Sequence, residues 1–207
     1  MKTIFWNVDT QYDFMRAEGK LYVQGAESIE GNLEKLTKLA EERNIQVVNT
    51  ADWHTKKTKE ISKTPDYINT FSEHCMAGTR GAEYIPATKP DNAYKIRWWQ
   101  KSFNEEKVKS SRNIILYKDK FDVFTGTPHA DGVFRIIKPD RAIVYGVATN
   151  VCVDFAVMGL LERGIEVYVP TDAIKELPNL PLQEVLYKWT SRRAKLIKTL
   201  EVEKYMQ

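Results

Sequence analysis

Reactive side chains stand at the carboxyl ends of four predicted strands. They are Asp9 after the first strand, Asp52 with His54 after the second, Lys118 after the third, and Cys152 in the helix after the fourth. In an open parallel sheet, ligands bind outside the carboxyl ends of the strands. We therefore expect one edge of the sheet to gather a thiol, two carboxylates, an amine and an imidazole.

Cys152 lies in the first turn of a helix predicted over 150 to 163. Unpaired N–H groups and the positive end of the helix dipole favour a thiolate there, so we expect a lowered pKa. A buried structural thiol is the alternative, because free cysteine is among the most buried residue types. A nearby carboxylate such as Asp9 can take the thiol proton and return it to a leaving group, while the Lys118 cation stabilises the charged forms. This set predicts nucleophilic catalysis.

Asp52 and His54 are two residues apart, so their side chains face the same way in an extended segment. His74 is the candidate third ligand, since the chain has only three histidines and the remaining one is His129. Two imidazoles and one carboxylate suit a divalent metal: zinc, iron or manganese. Loop histidines that bind no metal are the alternative. We expect Cys75, next to His74, to be a packed thiol and not a fourth ligand.

The strands that carry these residues are predicted at 3–9, 45–52, 113–118, 142–148, 165–170 and 194–199. Several are apolar runs of the kind that is buried on both faces of a sheet. Helices are predicted between most of them, most clearly at 27–43 and at 150–163, where Gly164 suits a left-handed cap. The alternation predicts an α/β fold, a three-layer αβα sandwich with a largely parallel sheet of about six strands and helices on both faces.

Length and composition predict one soluble domain over residues 1–207, with 43% hydrophobic and 29% charged residues. Lys and Arg number 31 against 28 Asp and Glu, a balance too even for a nucleic-acid partner. The N-terminus lacks a signal-peptide core and no apolar stretch is long enough to span a bilayer, so we expect no membrane partner and a cytoplasmic location. Two cysteines are too few for a disulfide framework.

The segment 53–112 is too long for a plain connection, so it predicts an elaborated set of active-site loops. We expect its lysine-rich part, 56–63, to be a solvated face. Within 91–111, Trp98 and Trp99 either close the pocket or form a subunit contact.

Five motifs resemble nicotinamidases and their isochorismatase-like cysteine hydrolase relatives. They are VDTQYDF (8–14), ADWH (51–54), HCMAGTRGAE (74–83), KxxFDVF (118–124) and YGVATNVCVDFAVMGLLERG (145–164). They follow the family's order over nearly the whole chain, and GVATxxCV is the most specific of them. The ADWH motif with a later HC pair is similar to the nicotinamidase branch, and the fold implied is the isochorismatase-like hydrolase fold.

The resemblance implies a catalytic set and a metal set. The catalytic positions are Asp9, Lys118 and Cys152, and the metal positions are Asp52, His54 and His74. The metal expected there is zinc, with iron or manganese as alternatives.

The resemblance also implies a cis peptide bond between Val147 and Ala148, which aims backbone N–H groups of Ala148 and Cys152 at the substrate oxygen. Phe14 and Phe71 are implied as pocket walls. Phe71 stands where nicotinamidases commonly have tryptophan. Asp122 stands where relatives often have serine, which would bring a negative charge near the pocket.

The implied reaction is hydrolysis of a small amide, nicotinamide to nicotinate and ammonia, through a Cys152 thioester, as in NAD salvage. A homo-oligomer, dimer or larger, is expected. Three alternatives stay open. The substrate is another small amide or ureido compound; a metal-bound water is the nucleophile and Cys152 is structural; or the fold is a non-catalytic binding module.

Overall fold

The structure is a computed structural model that describes residues 1–178 and 181–206. Eight strands of these residues form one sheet: β1 (Thr3–Val8), β2 (Val47–Asp52), β3 (Tyr94–Ile96), β4 (Asn113–Lys118), β5 (Arg141–Val147), β6 (Glu166–Pro170), β7 (Ile174–Lys175) and β8 (Lys195–Ile197). Their order is β3-β4-β2-β1-β5-β6-β8, and β7 pairs with β5 beyond the end of β6. All of these pairs are parallel.

Helices connect the strands. They are α1 (Tyr12–Met15), α2 (Glu30–Glu42), α3 (Glu105–Ser110), α4 (Val123–Gly126), α5 (Ala130–Ile137), α6 (Asp154–Glu162) and α7 (Leu182–Ser191). A π-helical turn, Thr149–Val153, precedes α6, and short 3-10 helices cover Ala26–Ile29, Arg80–Ala82, Pro86–Thr88 and Thr199–Tyr205. Within 1–178 and 181–206, no helix has the length and apolar character needed to cross a membrane.

Helices cover both faces of the sheet, so the central strands are buried throughout. Every residue of β1, β2 and β5 is buried, as expected for parallel strands packed on both sides. Ile4, Trp6 and Val8 of β1 pack on the side of α3, α4, α5, α6 and α7, whereas Phe5 packs on the side of α1 and α2. This alternation gives two apolar cores, and it confirms the predicted α/β architecture.

All six predicted strands are present, and two short strands, β3 and β7, were not predicted. β3 and β7 have three and two residues, and each pairs in parallel with a longer neighbouring strand. The predicted helix 27–43 starts as a 3-10 turn before α2, and Gly164 closes α6 with a left-handed φ of 76°. The segment 53–112 contains β3 and α3 as well as loops.

Gly146 lets the end of β5 approach β1 closely. Its φ is 121°, and a β-carbon placed there would lie 2.1 Å from the carbonyl oxygen of Val8. No other residue type fits this contact. The close approach brings the turn after β5, which carries Cys152, beside the end of β1, which carries Asp9.

Candidate active site

Asp9, Lys118 and Cys152 meet at the carboxyl edge of the sheet. Lys118 Nζ lies 2.9 Å from Asp9 Oδ2 and 3.9 Å from Cys152 Sγ. Carboxylate oxygens of Asp9 and Asp52 lie within 4.8 Å of the same sulfur. All four side chains are buried. The thiol therefore lies beside two carboxylates and an ammonium group.

The parallel register places these groups together. Asp52, the last residue of β2, is paired with Lys118, the last residue of β4. On the other side of β2, the Asp9 N–H donates to the Thr50 carbonyl oxygen at 3.2 Å. Asp9 then turns the chain with a left-handed φ of 47°. Three adjacent strands thus end at one level, which is why their last side chains converge.

The two carboxylate oxygens of Asp9 differ in their hydrogen bonding. The Thr50 hydroxyl donates to Asp9 Oδ1 at 2.6 Å. Oδ2 accepts no well-formed hydrogen bond from the described residues, although the Lys118 ammonium lies 2.9 Å away. Burial raises the pKa of Asp9, and Lys118 opposes that change. Oδ2 is therefore the oxygen available to take a proton.

The pKa of Cys152 is raised well above its usual value, so the expectation of a lowered pKa was wrong. Burial is the main cause; Lys118 lowers the pKa, while Asp9 and Asp52 raise it further. The sulfur lies in a π-helical turn that precedes α6, and the loss of water around it opposes ionisation. Cys152 therefore rests as a thiol and needs a base.

Lys118 stays charged in this buried site. Burial alone would lower its pKa, but Asp52 and Asp9 outweigh burial and raise the pKa well above its usual value. Burial also opposes ionisation of Asp52, but Lys118 and His54 hold the pKa of that carboxyl well below its usual range. The Lys118 ammonium contacts Asp52 Oδ1 directly. The ammonium is a fixed positive charge between two carboxylates and the sulfur.

Asp52, His54 and His74 form a compact group on the other side of Asp52. Nε2 of His54 lies 3.5 Å and Nε2 of His74 lies 3.7 Å from Asp52 Oδ2. One ligand atom from each residue falls within 4.8 Å of the other two, and all three residues are buried. His54 lies two residues after the end of β2, whereas His74 lies further along in the segment 53–112.

The chemistry of these three residues fits a divalent metal ion. Both ring nitrogens of His54 are buried and have no hydrogen-bond partner among the described residues. Nδ1 of His74 donates to the Ser72 carbonyl oxygen at 2.7 Å, which leaves Nε2 as the ring nitrogen that faces Asp52. Buried imidazole nitrogens without partners are costly unless something binds them. Two neutral imidazoles and one carboxylate are a ligand set of catalytic zinc sites.

A narrow pocket with an accessible volume of about 20 Å³, partly open to solvent, leads to the sulfur. Its walls are mostly apolar, and they include both phenylalanines implied by the resemblance. The lining residues are Phe14, Leu21, Val23, Asp52, Glu60, Phe71, His74, Phe121, Ala148, Val151, Cys152 and Leu177. A mostly apolar lining with a few polar groups is typical of a small-molecule site.

The turn after β5 forms the floor of the pocket beside Cys152. The peptide bond between Val147 and Ala148 is cis, the geometry that the resemblance implies. The Ala148 carbonyl oxygen accepts hydrogen bonds from the N–H groups of Val151 and Val153 at 3.0 and 3.1 Å. These bonds fix the turn that carries the sulfur.

Glu60 is a polar pocket residue that sequence reasoning missed. It lies in the segment 56–63, which was expected to be a solvated face; Lys56, Lys57, Lys59 and Lys63 are exposed, but Glu60 is buried. Its carboxylate accepts a hydrogen bond from the Phe121 N–H at 2.7 Å. Burial raises the pKa of Glu60 to about 8. A lone glutamate among lysines gave no signal of this role.

Trp98 and Trp99 do not line the pocket. Trp98 Nε1 donates to the Trp53 carbonyl oxygen at 3.3 Å, and Trp99 packs against it edge-on with 48% of its surface exposed. Closure of the pocket by this segment and a subunit contact both stay predictions.

Three further candidates also lie outside the pocket lining. Asp122 caps α4 by accepting a hydrogen bond from the Phe124 N–H at 2.9 Å. Cys75 is a fully buried thiol in the core on the α2 side. His129 lies with Nε2 2.9 Å from the Gln100 carbonyl oxygen.

Comparison with known proteins adds a family and a fold. The Isochorismatase domain family matches residues 3–198. The chain is similar to the nicotinamidase/pyrazinamidase of Mycobacterium tuberculosis, with 36% identity over 81 residues, which are 39% of this chain and 42% of that relative. The match thus spans less than half the length of the curated relative.

Two solved structures resemble the whole chain. The pyrazinamidase of Pyrococcus horikoshii in complex with zinc has a TM-score of 0.76 and 23% identity, covering 96% of this chain and 99% of its own. The N-carbamoylsarcosine amidase of Thermoplasma acidophilum has a TM-score of 0.73 and 22% identity. The match covers 96% of this chain and 97% of the amidase chain. At these identities the two structures establish a shared fold.

Proposed function

The chain belongs to the isochorismatase family, and from that premise we propose that it is an amidohydrolase with Cys152 as its nucleophile. The observation that carries the proposal is the meeting of Asp9, Lys118 and Cys152 at the end of a pocket. A thiol that rests protonated requires a base within reach, and the open oxygen of Asp9 supplies one.

Proton transfer from Cys152 to Asp9 Oδ2 starts the reaction. The thiolate attacks the amide carbonyl carbon, a C–S bond forms, and the carbonyl oxygen takes up the negative charge. Lys118, 3.9 Å from the sulfur, stabilises the thiolate before the attack. The backbone N–H groups of Ala148 and Cys152 are proposed to donate to the oxyanion.

Ammonia leaves when the C–N bond breaks. Asp9 returns its proton to the departing nitrogen, and an acyl thioester stays on Cys152. A water molecule then gives a proton to Asp9 and attacks the thioester carbonyl. The C–S bond breaks, the carboxylic acid product is released, and the proton on Asp9 restores the thiol. One carboxylate therefore serves as base and acid in both halves of the cycle.

The group formed by Asp52, His54 and His74 is proposed to hold a divalent metal, zinc in the first instance. When bound, that ion supplies a Lewis acid for a lone pair on the substrate. Asp52 also contacts the Lys118 ammonium, so the same carboxylate orients the ion pair beside the sulfur. Asp52 would thus connect the metal group, which orients the substrate, to the ion pair beside Cys152.

Nicotinamide is the substrate proposed first. Phe14, Phe71 and Phe121 offer aromatic faces to a flat ring, and the imidazole of His74 lies beside the first two at ring distances of 5.4 and 6.1 Å. The partial likeness to a nicotinamidase/pyrazinamidase supports this substrate class.

A second candidate is another small amide or a ureido compound. Glu60 is a buried carboxyl group in the pocket wall, and it would hydrogen-bond a polar substituent that nicotinamide lacks. The likeness of the fold to an N-carbamoylsarcosine amidase is consistent with this substrate class.

Ammonia release from a panel of amides tests the proposal. Purified protein with measured zinc content is assayed with nicotinamide, pyrazinamide and N-carbamoyl amino acids, each alongside Cys152→Ala. Nicotinamide as the best substrate supports the first candidate, and a carbamoyl compound as the best substrate supports the second. No ammonia from any amide, with zinc bound, would reject amide hydrolysis.

A further inference from the structure

Gln11 belongs to the VDTQYDF motif, yet it touches neither the sulfur nor the pocket. We propose that Gln11 is a positioning residue that fixes Asp52, and through Asp52 both the Lys118 ion pair and the metal group. This inference rests on the proposed function for the role of the metal. Its geometric basis is independent of that role.

The side-chain amide of Gln11 clamps the backbone of Asp52 from both directions. Nε2 donates to the Asp52 carbonyl oxygen at 2.8 Å, and Oε1 accepts from the Asp52 N–H at 2.8 Å. The second proton of Nε2 goes to the Ala82 carbonyl oxygen at 2.9 Å. Gln11 is fully buried. Both donors and the acceptor of one amide are thus used.

The clamp replaces strand pairing that the backbone no longer provides. The ladder between β1 and β2 ends with Val8 opposite Thr50, and Asp9 adds one further bond to Thr50. After Asp9 the chain turns away, so the peptide groups of Asp52 that face β1 lose a backbone partner. A side-chain amide carries the same donor and acceptor as a peptide group. Gln11 therefore extends the sheet by one residue at the point where catalysis takes place.

Asp52 is the residue whose position matters most at this edge. Oδ1 contacts the Lys118 ammonium, and Oδ2 faces Nε2 of both His54 and His74. A shift of the Asp52 backbone would move a charge relative to the sulfur and a ligand relative to two imidazoles. Groups that orient a metal ligand typically change metal affinity by about 10- to 100-fold when they are removed.

The test compares Gln11→Met with Gln24→Met in the full chain. Methionine keeps the length of the side chain and cannot form the clamp, and Gln24 is an exposed glutamine that serves as the matched control. Zinc affinity is measured by competition with a chelator. We expect Gln11→Met to weaken zinc binding about tenfold or more and to raise KM and lower kcat together. Gln24→Met is expected to match the original protein.

A second readout works without metal. In metal-free protein, the rate at which iodoacetamide alkylates Cys152 is followed by the mass of the peptide that carries it. Asp52 repels a thiolate at Cys152, so its displacement is expected to speed alkylation several-fold. If the unaltered protein binds no zinc, the proposed metal role fails, and faster alkylation of Gln11→Met still supports the clamp.

Circular dichroism separates the clamp from a purely structural role. A Gln11→Met protein that is folded, with unchanged zinc affinity and an unchanged alkylation rate, overturns the proposal even if its melting temperature falls. If Gln11→Met does not fold, Gln11→Glu replaces it, since glutamate keeps the acceptor for the Asp52 N–H and loses both donors. The same two readouts then decide.

Discussion

The site has two halves that are built differently. Asp9, Asp52 and Lys118 end strands of one parallel sheet, and their relative positions follow from the register. His74 and Glu60 come from the segment 53–112 and are placed by local contacts, such as the Ser72 carbonyl oxygen and the Phe121 N–H. In the proposed mechanism, the strand half holds the groups that move protons and stabilise charge beside Cys152. The loop half is proposed to hold groups that select and orient a substrate.

This division explains why one fold supports many substrates. A parallel sheet fixes strand ends with its backbone hydrogen bonds, so the reacting groups are set before a substrate arrives. Loops can change without disturbing that register. Substitutions in the strand half are therefore expected to lower kcat, and substitutions in the loop half are expected to act mainly on KM, metal affinity or stability.

Cys152→Ala carries the largest expected effect. Removal of the nucleophile of a hydrolase typically costs several orders of magnitude, so we expect ammonia release to fall by about 10⁴-fold or more with zinc content unchanged. Cys75→Ser is the control, because Cys75 is the chain's other cysteine and does not line the pocket. Activity that survives in Cys152→Ala would favour a metal-bound water as the nucleophile.

Asp9→Asn is expected to lower kcat by about 10²- to 10⁴-fold, because an amide cannot accept the thiol proton. KM should change little, since Asp9 does not line the pocket wall. Thr50→Val removes only the hydrogen bond to Asp9 Oδ1, so its loss should be much smaller. Steady-state kinetics of the two variants measures the difference. Equal losses would show that Asp9 acts through structure and not as the base.

His74→Ala probes the loop half. We expect zinc affinity to fall about 10- to 100-fold and KM to rise, with proton transfer at Cys152 intact. His129→Ala is the matched control, because His129 lies outside the pocket lining. Chelator competition and KM are measured for both variants. Unchanged zinc affinity in His74→Ala would remove this residue from the metal group.

Glu60 has the smallest expected effect, a pH dependence of stability. Its pKa is raised from 4.5 to about 8 in the folded protein, so the folded state holds a proton that the unfolded state has lost. Stability should therefore fall as pH rises from about 5 to 8. Thermal unfolding of metal-free protein at both ends of this range measures the fall. Between these two pH values, the stability of Glu60→Gln should fall less than that of the unaltered protein. The stability of Glu73→Gln, the control at an exposed site, should fall as much as that of the unaltered protein.

The six predicted strands and the convergence of the ends of β1, β2 and β4 were predictable from the sequence. Apolar runs define most of these strands, and parallel topology follows from the helices between them. Asp9, Asp52 and Lys118 were found because each follows or ends a run of this kind. The same reasoning could not find Glu60, because nothing in a lysine-rich segment shows which side chain turns inward.

The raised pKa of Cys152 could not be predicted from its place at a helix start. The burial of the sulfur and the presence of two carboxylates beside it both raise this pKa, and both depend on the packing of three strands. Gln11 illustrates the same limit. Its motif was visible, but its clamp on Asp52 depends on where β1 stops pairing with β2.

Trapping of an acyl group on Cys152 tests the central claim most directly. The protein is mixed with excess nicotinamide, or with the best amide found in the panel, and quenched in acid during turnover. Peptide mass spectrometry then locates any adduct. The account predicts one acyl group on the peptide that contains Cys152 and none in Cys152→Ala. Two results together would contradict it: no acyl group on that peptide during turnover of the unaltered protein, and continued ammonia release by Cys152→Ala.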